Sequence, residues 1–398
     1  MRLLVNAVGL RAGGGLTVGL NCLRGIRDVR PDYEIMALVP AGCGYEALCT
    51  SLSISYRAFK KTALYPAWRL WFDQVHVPLI ARRWSADVLF TMNNQAAWGA
   101  SCPQIVLFHN PYYIYPVAEW WPLVGPFDRA SLLLQRVLFG VAVHRCARVA
   151  VQTAVAAERL CEQYGIERDR LTIVPNAIAL EHDGIETEEG TQLARRMQDA
   201  AANRISVLTL ARYYPHKDLE FIVRVARRLR ELGDRRYVFF ITVAADQHPG
   251  ARALLETIEQ ERLATEVVNL GPLRYGQLRS AYGAARICFL PSILESMSGT
   301  HLEARHYRVP IVTTDRDFAR HACGSAAEYF PPGDVDAAIE TLRAAGSGSR
   351  PQQSEVPWTS RPWRDVCRDL AAMLDSVHGS LGPGSDAVPG TRRPELLR

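Results

Sequence analysis

An α/β fold with two doubly wound, largely parallel sheets is what this sequence predicts. Short apolar, β-rich runs alternate with helical runs from residue 2 to residue 174. The alternation breaks at an acidic, glycine-containing stretch, 181–190 (EHDGIETEEG), and starts again at residue 205. A chain of 398 residues has room for two domains of ordinary size, each able to bury its own core.

The first half reads as strand 2–8 (RLLVNAV), helix 16–26, strand 34–39 (EIMALV), helix around 68–83, strand 87–91 (DVLFT) and strand 104–108 (QIVLF). Helix 128–146, strand 148–152 (RVAVQ), helix 153–164 and strand 171–174 (LTIV) complete a domain over residues 1–180. The second domain, 200–345, reads as strand 205–210 (ISVLTL), helix 218–232, strand 237–243 (YVFFITV), helix 250–263, strand 266–270, helix 275–284, strand 286–290 (RICFL) and strand 310–314 (PIVTT). Residues 346–357 (GSGSRPQQSEVP) read as a linker, and 360–376 as an amphipathic helix built on Trp363, Val366, Leu370 and Leu374. Residues 378–398, rich in Gly, Pro, Ser and Arg, are expected to be disordered.

Composition excludes several classes. A hydrophobic share of 48% with 22% charged residues belongs to a soluble globular protein rather than a fibre or a disordered chain. The start of the chain is a strand without the apolar core and cleavage site of a signal peptide, and no apolar tract is long enough to span a bilayer. Nine cysteines are scattered without CxxC spacing, so the cytoplasm is the expected compartment and neither zinc nor a disulfide framework is suggested. The net charge of +5 is mild, and no nucleic acid is expected as a partner. Residues 56–83 nevertheless concentrate Arg57, Lys60, Lys61, Arg69, Arg82 and Arg83 against Asp73, with Tyr65, Trp68 and Trp71 interleaved. Such a patch suits an anionic membrane surface or a phosphate-bearing acceptor, and a solvated basic helix face accounts for it too.

The chemistry concentrates at predicted strand ends. After strand 286–290 the chain runs Pro291-Ser292-Ile293-Leu294-Glu295-Ser296-Met297-Ser298-Gly299-Thr300-His301-Leu302-Glu303, a small-residue loop opening a short helix. Ligands bind at the carboxyl ends of strands in open α/β sheets, and amides at Ser298, Gly299 and Thr300 would point at an anion. Thr300 and Glu303 also have the spacing of a capping box, which gives Glu303 a purely structural alternative, whereas Glu295 lies before the helix and caps nothing. Strand 205–210 ends in Arg212 and Lys217, a fork and a point charge suited to a diphosphate. Gly13-Gly14-Gly15 follows the first strand and permits close backbone approach to a phosphate or sugar. The dinucleotide fingerprint is absent, with Val18 where its last glycine belongs, so an NAD enzyme is disfavoured. His109 ends strand 104–108, and Asp315 with Asp317 is read as a loop and helix cap rather than a metal pair.

Taken together, Gly13-Gly14-Gly15, His109, Val174-Pro175-Asn176-Ala177-Ile178, Arg212 with Lys217, Gly271-Pro272, and Glu295 with Glu303 resemble the retaining glycosyltransferases of family 4 over residues 1–376. That resemblance implies a GT-B fold, two Rossmann-like domains facing across a cleft, with the last helix crossing back to the first domain. It implies that Arg212 and Lys217 hold the donor diphosphate, Glu295 the transferred sugar and Glu303 the nucleotide ribose. The backbone at 297–301 would meet sugar and phosphates, Gly14 and Gly15 would line the donor, and His109 would reach the sugar. No metal or other cofactor would be obligatory. The expected partners are a UDP- or GDP-linked hexose, mannose among the candidates, and a glycan or lipid-linked acceptor for surface polysaccharide such as lipopolysaccharide, at the inner face of the membrane. The aromatic run Tyr112, Tyr113, Tyr115, Trp120 and Trp121 and the patch at 56–71 are the acceptor-side candidates, and core packing explains part of that aromatic run equally well. Ser296-Met297-Ser298 departs from the family's Gly-Phe-Gly, and Arg305-His306-Tyr307-Arg308 from its small apolar run. An inactive sugar-nucleotide-binding subunit and a GT-B epimerase are the competing readings.

Overall fold

The computed structural model of the protein describes residues 1–61, 65–177, 187–348 and 361–380. Ile178 of the interdomain motif, most of the acidic stretch, the linker beyond residue 348 and the tail beyond residue 380 lie outside the described residues. The chain divides into two compact units: Met1–His109 with Ala130–Pro175 and Trp363–Arg398, and Asn110–Arg129 with Asn176–Pro362.

The first unit is a parallel sheet of β1 (Arg2–Asn6), β2 (Glu34–Pro40), β3 (Ser55–Phe59), β4 (Val88–Thr91), β5 (Gln104–Leu107), β6 (Arg148–Val151) and β7 (Leu171–Ile173). Their spatial order is β3-β2-β1-β4-β5-β6-β7, so the winding reverses between β1 and β4. Leu3, Leu4, Val5, Leu89 and Phe90 are fully buried, as strands covered on both faces require. β3 carries no strand signal in the sequence, because an exposed edge strand carrying Arg57 has neither an apolar run nor alternation. The last helix, Trp363–Gly379, groups with this unit and packs on the helix Gly13–Val29. A Cβ at Gly25 would stand 2.4 Å from Cys367 Sγ, so glycine is what lets the two helices touch. Tyr33 and Arg30 both bind Asp375 from beyond the helix end.

The second unit is a parallel sheet of β8 (Ile205–Thr209), β9 (Tyr237–Ile241), β10 (Val267–Asn269), β11 (Ile287–Leu290), β12 (Ile311–Thr314) and β13 (Ala327–Phe330). The order β10-β9-β8-β11-β12-β13 reverses between β8 and β11. On one face Phe330 stacks between Phe221, at 5.5 Å, and Phe289, at 5.4 Å. The unit begins before residue 200, with the helix Glu188–Ala201 capped by the Thr187 side chain and burying Leu193 and Met197. Its acidic first turn resembles linker in composition, yet carboxylates there suit a helix N-terminus.

Residues 110–129, read above as first-domain sequence, group with the second unit. Tyr115 donates to Asp317 Oδ1 at 2.8 Å, and Glu119 pairs with Arg316. Tyr113, Tyr115 and Trp120 are buried, so core packing rather than acceptor stacking accounts for them; Trp121 alone of that run is exposed.

Candidate functional site

In the second unit the reversal brings the loops after β8 and β11 side by side, and the predicted donor residues sit on these two loops. The β8 loop closes in a 3-10 turn, Pro215–Lys217, followed by Asp218 in the left-handed region at φ 45. A non-glycine residue there is strained, and such strain gathers at functional sites. Asp218 pairs with Arg224 at 3.1 Å. Lys217 Nζ forms an ion pair with Glu295, across the two loops. The His216 carbonyl accepts from Ile293 N at 2.8 Å, a second tie between them.

Glu295 is 7% exposed. Burial pushes its carboxyl up, but the Lys217 ammonium and the neighbouring His216 and His301 outweigh this and hold it below the ordinary range. It is therefore an anion at neutral pH. Arg212 is half-buried and has no hydrogen-bond or ion-pair partner among the described residues. A guanidinium held partly out of water without a partner leaves its fork of N–H donors available to an anion.

The capping box expected at Thr300 and Glu303 does not form. The helix is Gly299–His306, its N-cap is Ser298, and no side chain caps it. Thr300 instead donates to the Leu210 carbonyl at 3.1 Å, and Glu303 accepts from Tyr282 Oη at 2.8 Å. The first-turn amides are thus left for a ligand, and Glu303 is released from the structural role its spacing suggested. Burial raises its carboxyl to about 7, against the bond from Tyr282 and the charge of Lys217.

None of Ser296, Met297 and Ser298 has a positive φ, so the replacement of the family's glycines costs no left-handed strain. The bulky 305–308 run is absorbed locally. Arg305 donates to the Ala322 carbonyl, and Tyr307 stacks on Tyr282 at 4.9 Å. Threonine hydroxyls pin the strand ends: Thr209 to the Phe289 carbonyl at 2.6 Å, Thr313 to Leu290 at 2.9 Å and Thr314 to Ser292 at 2.5 Å.

Two histidines here have partners that the sequence does not announce. His216 Nδ1 lies 2.9 Å from Tyr112 Oη, and its ring stacks on Tyr214. His301 Nε2 lies 2.9 Å from Thr313 Oγ1. Because the Thr313 hydroxyl already donates to Leu290, His301 must be the donor, which fixes the tautomer with Nδ1 as a bare acceptor. Burial pushes both histidines down to about 4, so both are neutral at physiological pH.

In the first unit the helix begins at Gly13, itself at φ 59, and a Cβ on Gly14 would meet nothing within 4 Å. The close approaches fall elsewhere: a Cβ would lie 2.0 Å from Tyr45 Oη at Gly19 and 2.9 Å from Asn93 Cβ at Gly9. His109 follows β5, and its backbone N–H donates to Asn94 Oδ1 at 2.5 Å. Burial pushes the His109 imidazole down to about 4.

Beside the β1–β4 reversal lies a buried cluster that the sequence reading did not foresee. Arg69 pairs with Asp73 at 2.6 Å, and Asn6 Nδ2 donates to Asp73 Oδ1 at 3.0 Å. Burial raises the Asp73 carboxyl, against the pull of Arg69 and Asn6. Arg69 and the neighbouring Trp68, which stacks on Phe72 at 4.8 Å, therefore leave the predicted surface patch for the interior. Asp73 sits in a π-helical turn, Phe72–His76, which no spacing rule announces.

Among the described residues no three His, Cys, Asp or Glu side chains gather where they could hold a metal ion, and no helix is long and apolar enough to cross a membrane.

Residues 191–354 match the family described as glycosyl transferases group 1, and residues 38–182 match glycosyltransferase family 4. The D-inositol 3-phosphate glycosyltransferase of Geodermatophilus obscurus is 26% identical over 319 residues, which cover 76% of this chain and 68% of that protein. HepE of Anabaena, solved in complex with UDP and glucose, superposes with a TM-score of 0.69 at 14% identity, covering 94% of this chain and 100% of that one. WaaG, described as a glycosyltransferase involved in lipopolysaccharide biosynthesis, superposes with a TM-score of 0.64 at 13% identity over 96% of this chain and 100% of its own.

Proposed function

Because the chain belongs to the group 1, family 4 glycosyltransferases and has their GT-B fold, we propose that it moves a hexose from a UDP- or GDP-sugar to a glycan or lipid-linked acceptor in surface polysaccharide synthesis, at the membrane's inner face. The observation that carries the donor side is the Lys217–Glu295 pair at the β8–β11 reversal, with the unpartnered Arg212 on the same loop. HepE was solved with UDP and glucose, which supports a UDP-sugar as the first donor to test.

In this reading the diphosphate binds Arg212 and competes with Glu295 for the Lys217 ammonium. Glu295, released in part, accepts from the hydroxyls of the transferred sugar. Glu303 takes the ribose, and the uncapped amides at Ser298, Gly299 and Thr300 meet sugar and phosphate oxygens. Neutralising the leaving diphosphate is the main electrostatic task of the transfer, and two cations placed before the reaction perform it without reorganisation. His109 acts on the sugar as a neutral imidazole, with Gly14 and Gly15 lining the donor. The leaving phosphate helps deprotonate the acceptor on the same face, which retains configuration, and no metal is obligatory.

The competing reading, an inactive sugar-nucleotide-binding subunit, rested on the altered 296–298 loop. The ordinary backbone of that loop weakens it. A thermal-shift screen against UDP, GDP, ADP, dTDP and their sugar conjugates tests the proposal. Stabilisation by one nucleotide family, lost in Arg212→Ala, is expected, because a ligand that binds only the folded state raises its melting temperature. Stabilisation without sugar transfer to any acceptor would favour the inactive subunit, and no shift with any nucleotide would sink both readings.

A further inference from the structure

The predicted basic and aromatic patch is rearranged by the fold into a different surface. With Trp68 and Arg69 turned inward, the helix spanning Tyr65–Arg83 presents Trp71, Val75 and Leu79, which are 49%, 42% and 43% exposed. A four-residue step overshoots an α turn and undershoots the wider π turn at Phe72–His76, so these side chains stay nearly in line. Large apolar side chains in a row on one exposed helix face mark a surface that binds something.

Trp98, 41% exposed, extends the row. Its backbone N–H donates to Gln74 Oε1 at 2.9 Å, and its carbonyl accepts from Arg145 Nη1 at 3.0 Å. Gln74 precedes Val75, and Arg145 follows the helix Pro126–Val143, whose Leu134, Val137 and Val141 form a second exposed apolar face. Trp98 therefore joins the two helices.

Cations border this surface. Arg57, Lys60, Lys61, Arg82 and Arg83 are all exposed. His76 is pushed down first by burial and then by both Arg57 and Arg83, which places the cations of β3 and of the helix end around one side chain. The only acid in residues 55–61 and 68–84 is Asp73, and it is buried against Arg69.

We infer that this face of the first unit docks on an anionic lipid bilayer, with Trp71, Val75, Leu79 and Trp98 entering the interfacial zone and the surrounding cations meeting lipid headgroups. The inference rests on the proposed lipid-facing function and assigns the surface that serves it. A protein partner would need shape complementarity and acids of its own, whereas apolar side chains ringed by cations match the layered chemistry of a bilayer surface without further features. Tryptophan at this depth keeps its ring in the apolar layer and its N–H in the wet one.

The test is co-sedimentation of the full chain with vesicles of phosphatidylcholine alone and of phosphatidylcholine mixed with phosphatidylglycerol. Binding is expected only to the anionic vesicles and should weaken with salt. Removal of one bordering cation, Lys60→Gln or Arg83→Gln, should weaken it about fivefold. The combination Trp71→Ser, Val75→Ser and Leu79→Ser should abolish it, while Trp121→Ser, an exposed tryptophan of the second unit, should not change it. Absence of binding to anionic vesicles, or binding untouched by the triple substitution, overturns the inference. Concentration-dependent self-association that the triple substitution abolishes, without vesicle binding, would instead assign the face to a second copy. Nucleotide stabilisation is measured alongside: if the unaltered chain is stabilised by nucleotide but does not bind anionic vesicles, the docking surface is removed and the transferase reading stands, whereas absence of nucleotide stabilisation in the unaltered chain removes the latter; the triple substitution should leave that stabilisation intact.

Discussion

Each sheet reverses its winding once, and each reversal holds a buried ion pair, but the two pairs are made in opposite ways. Lys217 and Glu295 come from loops after adjacent strands, with 78 positions between their numbers. Arg69 and Asp73 sit one turn apart in a single helix, with Asn6 completing the shell. The first pair exists only because the sheet brings two chain segments together, at the mouth where ligands enter such folds. The second is local and closed, a brace between the helix and the end of β1. A buried charge pair is thus the proposed donor site in one unit and a strut in the other, and the distinction lies in what else remains unsatisfied nearby. Arg212 has no partner beside the first pair.

The largest expected effect separates these roles. Asp73→Ala leaves the Arg69 guanidinium buried without its counter-ion and should cost about 3–5 kcal/mol of stability. Denaturant unfolding followed by a probe in the first unit measures it, and a loss below 1 kcal/mol, the scale of an exposed pair, would refute the strut. In the second unit Glu295→Gln keeps the shape and removes the charge. Transfer should fall about 10²–10³-fold, the scale of losing one preorganised electrostatic contact, while nucleotide still raises the melting temperature. Unchanged transfer would break the comparison at its functional end.

The contrast also explains what the sequence could disclose. Arg212, Lys217 and Glu295 lie in loops after apolar runs, where polar residues have no packing reason to be, so they stand out; Glu303 lies one turn into the helix Gly299–His306 and is marked only by its spacing from Thr300 and Glu295. Asp73, Arg69, Tyr282 and His301 lie within helices, and nothing in a 3.6-residue period distinguishes an inward polar side chain from an outward one. The aromatic run at 112–121 shows the same limit from the other side: stacking surface and core are identical in composition, and only the pairing of Tyr115 with Asp317 and of Glu119 with Arg316 decides between them. β3 was hidden because edge strands shed the apolar pattern by which strands are recognised.

A pH experiment sharpens the comparison further. The folded Glu303 carboxyl titrates at about 7 against an ordinary 4.5, so between these values the folded chain holds a proton that the unfolded chain has lost. Its contribution to stability therefore falls as pH rises through that window. His109, His216 and His301 act oppositely: each titrates at about 4 against 6.5, the unfolded chain binds more protons between, and stability rises with pH there. Glu303→Gln should remove its share of the falling dependence, so that the rising contribution of the histidines shows more strongly. If Glu303 accepts from a ribose hydroxyl, nucleotide binding favours its ionised form, releases a proton near pH 7 and strengthens as pH rises. Calorimetric titration in two buffers of different ionisation enthalpy detects that release, and equal heats in both would mean that Glu303 does not meet the nucleotide.

The smallest effect comes from one hydroxyl in each unit. Tyr282 donates to Glu303 at 2.8 Å, and buried Tyr45 donates to the Leu10 carbonyl at 3.2 Å, beside the glycine loop. Phenylalanine at either position keeps the ring and deletes the bond, so each substitution should cost about 1 kcal/mol of stability. Their functional consequences should part. The Tyr282 hydroxyl favours the ionised carboxylate, so Tyr282→Phe should push Glu303 higher still and move the midpoint of the pH dependence of nucleotide binding upward. Tyr45→Phe removes a bond to a backbone carbonyl, which does not titrate, and should leave that midpoint where it is. Equal midpoints in the two variants would show that the Tyr282–Tyr307 stack holds the helix in place without tuning the carboxylate it carries.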